Sequence, residues 1–272
     1  AALQGWKVKK LSDISFPLTL EKEEIIIDFG GHFTGYLNIE LAGRPEHIPD
    51  SPTNIAFSFA EMPIELAETA EDSENSLSVG WLQNDFMPYK GSLERRYSFR
   101  YLKLKRTDSV RFAVDITALY IDAVSAVDID DALPLNTADD ALAAIDKICV
   151  NTLKECEQDV FEDGPKRDRR LWIGDLRLQA LVDYVTFRNT DLIKRCIYLF
   201  AEHLNEKELV PPCVFPDTPP YADQWFYLDY SLCFVLCLAD YLENTGDKTL
   251  PEELYGIALH QIEYTDSVFD RT

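Results

Sequence analysis

The chain changes its hydrophobic period once, between Asp128 and Asn136, and that switch decides what it can fold into. From Ile14 to Val127, short runs of β-branched and aromatic residues are separated by Gly, Pro, Asn and Asp: EEIIIDFG, GYLNIEL, NIAFSFAE, RRYSFRYLKLKR and VRFAVDITALYIDAV. Several alternate polar with apolar at period two, as around Tyr97, Phe99, Tyr101, Leu102 and Leu104, which is the pattern of half-buried antiparallel strands in a sandwich. After IDDALPLN, where Asn136 or Thr137 can cap a helix, the spacing turns helical. Helices are expected from Thr137 to about Val160, Leu176 to about Arg188, Thr190 to about Asn205 and Trp225 to about Asn244, then from Pro251, at N1, onward. Gly246 is placed to close the fourth. The expected fold is therefore multidomain β + α, with an antiparallel β-sandwich over residues 1–135 and helices over 136–272; 272 residues suffice for two cores.

Charge narrows the function. The 48 acids and 26 bases give a formal charge of −22, which argues against a nucleic-acid partner, since duplex binding needs a basic stripe. No apolar run approaches the roughly 18 residues that cross a bilayer, so no membrane is expected. Between Pro45 and Tyr89 there is no Lys or Arg, while Glu61, Glu65, Glu68, Glu71, Asp72 and Glu74 follow closely; this reads as a solvated acidic loop. The six cysteines (Cys149, Cys156, Cys196, Cys213, Cys233, Cys237) show neither CxxC nor His at metal spacing, so neither a disulfide framework nor a metal site is indicated, and no cofactor is expected. Cys233 and Cys237, four apart in an apolar run, are expected to fill a helical core as thiols, which points to a reducing, cytoplasmic setting.

GGHFTG (Gly30 to Gly35) leads into another strand rather than a helix, which excludes a phosphate loop and suggests a tight hairpin turn. Two long connections interrupt the helices, FEDGPKRDRRLWIGD and VPPCVFPDTPPYADQ; loops of this length between packed helices usually carry function. The first concentrates three carboxylates (Asp163, Asp168, Asp175), four cations (Lys166, Arg167, Arg169, Arg170) and Trp172 within Asp163–Asp175. Such a set suits a sugar-cleaving subsite: one carboxylic acid to protonate a glycosidic oxygen, others to grip hydroxyls, and an indole face to cover the apolar side of the ring. The histidines His32, His47, His203 and His260 lie in unrelated contexts without a matching Ser or Cys, so a nucleophilic triad is not supported.

DGPKRDRRLWIGD resembles the signature of the α-L-rhamnosidases of glycoside hydrolase family 78. IIIDFGGHFTGYLNIEL is similar to the strand and turn of the sandwich that precedes their catalytic domain, and DQWFYLDYSLCFVLCLADYLENTGD to a later helix of their (α/α)6 toroid. The resemblance implies that the helices after Asn136 begin such a toroid, that the substrate is a carbohydrate, a rhamnoside or similar deoxyhexoside, and that cleavage is inverting. By position, Asp163 and Asp175 match the opening and closing sugar-binding acids, and Asp168, seven residues before Asp175, matches the proton donor. Arg167, Trp172, Trp225 and Asp229 are expected substrate contacts, with Asp223 and Tyr230 beside them. The sequence departs from the pattern in three places: Gly164 replaces a Cys, Asp168 replaces the usual Glu, and the Gly before the aromatic is missing. An Asp donor must sit about 1.5 Å closer to its oxygen, one C–C bond length. It must also be protonated, against a reference near 3.9; the expectation is that Asp163 and Asp175 press on Asp168 while at least two of the three arginines turn outward.

The base of an inverting pair, roughly 6.5–9.5 Å from the acid, lies far downstream in this family, so the 272 residues alone are expected to be inactive. About five helices leave apolar stripes open, and a homodimer or a further C-terminal portion is expected to cover them. The competing reading is a non-catalytic carbohydrate-binding or degenerate scaffold protein.

Overall fold

The computed structural model describes residues 8–20, 24–44, 51–67, 79–108, 112–222 and 224–268. Two compact units divide at Val124/Ser125.

The first unit is a sheet of eight strands: β1 (Val8–Lys10), β2 (Leu18–Leu20), β3 (Ile25–Gly43), β4 (Thr53–Ala60), β5 (Val79–Asp85), β6 (Tyr89–Ser92), β7 (Tyr97–Arg106) and β8 (Val114–Ala123). Their order is β2-β8-β3-β7-β4-β5, with β1 and β6 also on β3, and every pairing is antiparallel except β1 with β3. The long β3 organises the sheet by changing neighbours along its length. Its first half lies between β1 and β7, its second between β6 and β8. One core closes inside, with Leu20, Ile27, Leu37, Ile39, Phe57, Phe99, Leu104 and Ile116 buried together. Phe59 stacks on Tyr97 at 3.9 Å and meets Phe99 edge-on at 4.9 Å. Tyr101 breaks the simple alternation and packs instead with Ile26, Ala60 and Leu66.

The glycines of GGHFTG do not turn a hairpin. They lie inside β3, where the register against β7 shifts from Asp28 opposite Tyr101 to Phe33 opposite Phe99, a bulge rather than a reversal. Gly30, at φ +82°, supplies the left-handed residue, and its N–H donates to Asp28 Oδ1 at 2.9 Å. Arg100 grips the same carboxylate at 2.8 and 3.0 Å. Gly35 sits where β3 passes from β7 to β8, opposite Tyr97 and Ala123, and a Cβ there would lie 2.2 Å from the Asp122 carbonyl oxygen. Of the acidic stretch, Glu68, Glu71, Asp72 and Glu74 fall outside the described residues, while Glu61 contacts His32.

The second unit holds α1 (Asp140–Cys156), α2 (Ile173–Asp183), α3 (Thr190–Glu202), α4 (Leu228–Thr245) and α5 (Thr249–Val268), with a small sheet of β9 (Leu171–Trp172), β10 (Cys213–Phe215) and β11 (Tyr221–Ala222). Residues 125–135 join this unit: Ser125 Oγ and Ala126 N–H donate to the Glu157 carbonyl, and Leu133 N–H to that of Thr186. Asp139, not Asn136 or Thr137, caps α1, accepting from Ala141 and Leu142 N–H at 2.8 and 3.2 Å. Gly246 closes α4 in the left-handed conformation, φ +71°. Pro251 is the third residue of α5 rather than its first, because the helix starts two residues earlier at Thr249; it still lies within the first turn, where its missing N–H costs no helical bond. Phe161, Leu171, Ile173, Ile197, Phe200, Phe234 and Leu250 form the core, with Cys237 in it and Cys233 against it. Leu142, Ile145 and Ile148 on α1, Leu178 and Val182 on α2, and Tyr255 and Ile262 on α5 stay exposed. No helix among the described residues is long and apolar enough to cross a membrane.

Gly35→Ala should destabilise the protein by about 1–3 kcal/mol, because backbone rather than a side chain stands in the way; urea unfolding measures it. The Arg100 guanidinium holds the Asp28 carboxyl below the usual range, and Arg44 does the same for Asp115. A folded-state value below the unfolded one contributes stability above ordinary carboxylate pH, lost as pH falls through the depressed value. Arg100→Gln should therefore move acid unfolding to higher pH.

Candidate active site

A short turn, one strand and one helix start position the three aspartates. Asp163 and Arg170 close the turn reciprocally: Asp163 N–H donates to the Arg170 carbonyl at 3.0 Å, and Arg170 N–H donates to Asp163 Oδ1 at 3.1 Å. Within it, the Gly164 carbonyl accepts from the N–H groups of Arg167 and Arg169 at 3.1 and 3.2 Å. Arg169 takes a left-handed φ of +57° and sends its Nε to the Pro165 carbonyl at 2.8 Å. β9 follows, pairing Trp172 with Cys213 and Leu171 with Val214, so the second long loop lies directly against the first. Ile173 N–H donates to the Pro212 carbonyl at 3.1 Å, and α2 then begins with Asp175 in its first turn.

Burial pushes the Asp163 carboxyl above the usual carboxylate range; the Arg170 N–H opposes the shift, and the charges of Asp168 and Asp175 add to it. Burial raises Asp175 as well, against its own backbone N–H. Asp168 has a side chain 20% exposed and faces Arg167 Nε at 3.6 Å and Arg170 Nη1 at 3.9 Å. Both Arg167 and Arg170 thus lie within 4 Å of Asp168, so the expectation that at least two of the three arginines point outward is not met. The reason is local: Arg170 is fixed from both sides, by its backbone bonds to Asp163 and by its guanidinium lying 4.4 Å from the centroid of Phe215, itself stacked on Tyr221 at 4.5 Å.

Trp172 meets Tyr230 edge-to-face at 6.1 Å, and Tyr230 meets Tyr227 at 5.8 Å. Tyr230 also lies over Gly174, where a Cβ would stand 3.2 Å from its ring carbons. Its phenol is raised by burial and by the charges of Asp175 and Asp229, which ties α4 to the cluster. Asp229, in the first turn of α4, is exposed. Trp225 lies before that helix, 54% exposed, and joins none of these contacts. Asp223 lies outside the described residues. The sequence reading did not find Cys213, whose thiol is pushed up to about 12 by burial and feels Arg170, Asp163, Asp168 and Asp175. Nor did it find Phe215. The short apolar run CVF between prolines is a strand signal, but its pairing with β9 is non-local and no sequence pattern announces it.

No group of three or more His, Cys, Asp or Glu side chains suited to a metal occurs among the described residues. His32 does have a serine: its Nε2 lies 3.2 Å from Ser98 Oγ and 3.1 Å from Glu61 Oε1. Both partners use the same ring nitrogen, whereas a triad needs one on each, so no proton relay results. His203 and His260 rest on backbone carbonyls.

Residues 1–123 match the glycosyl hydrolase family 78 alpha-rhamnosidase N-terminal domain, and residues 130–269 the bacterial alpha-L-rhamnosidase six-hairpin glycosidase domain. The comparison with curated proteins finds no match. Among solved structures, the chain is similar to a rhamnosidase from Klebsiella oxytoca with rhamnose bound, at 40% identity and TM-score 0.88, covering 93% of this chain and 50% of that one. The fold is shared with a family 78 rhamnosidase of Bacillus sp. GL1 (21% identity, TM-score 0.77, 95% and 26% covered). It is shared too with an alpha-L-rhamnosidase from Dictyoglumus thermophilum (15%, 0.65, 93% and 28%). The chain thus spans half the length of the Klebsiella protein. With its β-sandwich and the first helices of an (α/α)6 toroid, this chain belongs to glycoside hydrolase family 78, the α-L-rhamnosidases.

Proposed function

We propose that the protein acts on terminal rhamnose, or a similar deoxyhexose, as an inverting glycoside hydrolase in which Asp168 protonates the leaving oxygen. The observation that carries this reading is the gathering of Asp163, Asp168 and Asp175 around one turn, with the Trp172 indole on the adjoining strand. Asp163 and Asp175 grip ring hydroxyls as acceptors, and Trp172, steadied by Tyr230, covers the apolar face of the sugar. Arg167, largely exposed beside Asp168, and Trp225 and Asp229 at the start of α4 contribute at the rim. The bound rhamnose of the Klebsiella relative supports the sugar class. Inverting cleavage needs in addition a carboxylate base on the opposite face of the ring, roughly 6.5–9.5 Å from the acid. A second reading, sugar binding without turnover, is favoured by the two guanidinium groups within 4 Å of Asp168.

Asp168→Asn should lower hydrolysis of a nitrophenyl rhamnoside by about 10²–10⁴-fold, the usual contribution of a positioned acid, while leaving L-rhamnose affinity nearly intact. Equal turnover in the variant would remove Asp168 from the donor role, and tight binding with no turnover in either protein, measured with the opposing carboxylate base present, would favour the second reading. Because Asp163 and Asp175 are raised and a carboxylate accepts more strongly than a neutral carboxyl, rhamnose affinity should fall with decreasing pH sooner than for ordinary aspartates. Calorimetry between about pH 4 and pH 7 measures this, and Asp163→Asn should flatten the profile.

A further inference from the structure

Away from the three aspartates, Glu157 and Asp183 are fully buried carboxyl groups of the second unit that form no ion pair among the described residues. Glu157 directly follows α1 and Asp183 ends α2, and both are 0% exposed. Glu157 Oε2 accepts from the Asn189 side chain at 3.3 Å. Drawn as two carboxylates, Glu157 Oε1 and both Asp183 oxygens have no donor, and neither residue forms an ion pair among the described residues. The two side chains lie in hydrogen-bonding contact with each other, and two buried carboxylates cannot face each other in this way, because removing each charge from water and setting it beside a like charge are both strongly unfavourable.

We infer that Glu157 and Asp183 share one proton across an O–H···O hydrogen bond, and that this proton-binding site ties together the two ends of the segment that presents Asp163, Asp168 and Asp175. Glu157 opens that segment and Asp183 closes it. The backbone around each is occupied. The Glu157 carbonyl accepts from Ala126 at 2.7 Å and from Ser125, while that of Asp183 accepts from Thr186 and Arg188 at 3.0 and 2.8 Å. Asn189, which donates to Glu157, also caps α3 through Leu192 N–H, so three helix ends meet at the pair. Two carboxyls and one amide are too few donors for a hard divalent cation, which takes six to eight oxygens in the case of calcium; a proton needs only two.

The titration behaviour agrees. Burial, then the charge of Asp183, pushes Glu157 far above the usual carboxylate range; burial raises Asp183 as well, against its contact with Glu157. The titratable groups that face the pair are Cys156 on α1, Cys196 on α3 and Tyr184 just past α2. Burial pushes the two thiols up to about 12 and the phenol further, so all three stay neutral while the pair titrates. The nearby cations Arg188 and Arg195 pair with neither carboxyl. Folded-state values above the unfolded ones mean that the stabilisation is complete below ordinary carboxylate pH. It is lost as pH rises through the raised values, where the shared proton leaves.

The site does not depend on the sugar-cleaving reading, and the chain itself suffices to test it. In urea unfolding followed by helical circular dichroism between about pH 6 and pH 10, the unfolding constant should rise by up to about tenfold per pH unit and level off once the shared proton has left. Glu157→Gln supplies an amide N–H toward Asp183 and a carbonyl toward Asn189, and should remove most of that slope while remaining folded. Infrared spectroscopy of the native chain should show a protonated-carboxyl C=O band at neutral pH that is gone at pH 10; this decides the matter even if the variant fails to fold. Parallel pH profiles without such a band would overturn the proposal. Stabilisation of the native chain at pH 8 by calcium, reversed by a chelator, would overturn it in favour of a cation.

Discussion

The reciprocal backbone link between Asp163 and Arg170 is the constraint on which the site depends. It shuts an eight-residue turn, Asp163 to Arg170, with two hydrogen bonds, one of them to the side chain of an aspartate that is itself part of the cluster. Because the bond to Asp163 Oδ1 comes from main chain, the carboxylate is held without consuming a side-chain cation. That leaves the Arg170 guanidinium for Phe215 and Asp168, so one residue steadies two acids and joins the first loop to the second. The tightness of the turn requires the left-handed Arg169, a conformation unfavourable for a side chain with Cβ and tolerated here because its own Nε bonds the Pro165 carbonyl.

The two units solve different packing problems with different periodicities, and this much was readable. Alternation placed strands before Val127 and 3.6-residue spacing placed helices after Asn136, because each face must bury its apolar side whatever the partner. The GGHFTG segment was not readable in the same way. Two adjacent glycines permit either a reversal or a bulge, and which occurs depends on whether β7 continues alongside, a non-local fact that a local pattern does not carry. The cap of α1 was misplaced for a similar reason. Asn136, Thr137 and Asp139 are all capable of capping, and only the direction in which the chain arrives selects Asp139.

The candidate site stood out in the sequence through its aspartates and indole because they lie within thirteen consecutive residues, Asp163 to Asp175. Its supports were not. Phe215, Cys213 and Tyr230 reach the turn through the pairing of β10 with β9 and the packing of α4, so nothing near them in sequence announces the contact. Glu157 and Asp183 were hidden more thoroughly, since acidic residues at helix ends ordinarily face water and nothing in their spacing marks them as interior. The arginines show the limit from the other direction: their abundance in the loop was plain, but which of them meets Asp168 depends on stacking against an aromatic from elsewhere.

The six thiols are all unpaired, with Cys149 exposed on α1, Cys233 half-buried and the other four interior. Burial raises the four interior thiols and Cys233 away from the thiolate form that alkylating reagents and peroxides attack. Cys149 therefore stands apart as an addressable handle. Because it shares its helix with the exposed Leu142, Ile145 and Ile148, a fluorophore attached there would register whatever surface comes to rest on α1.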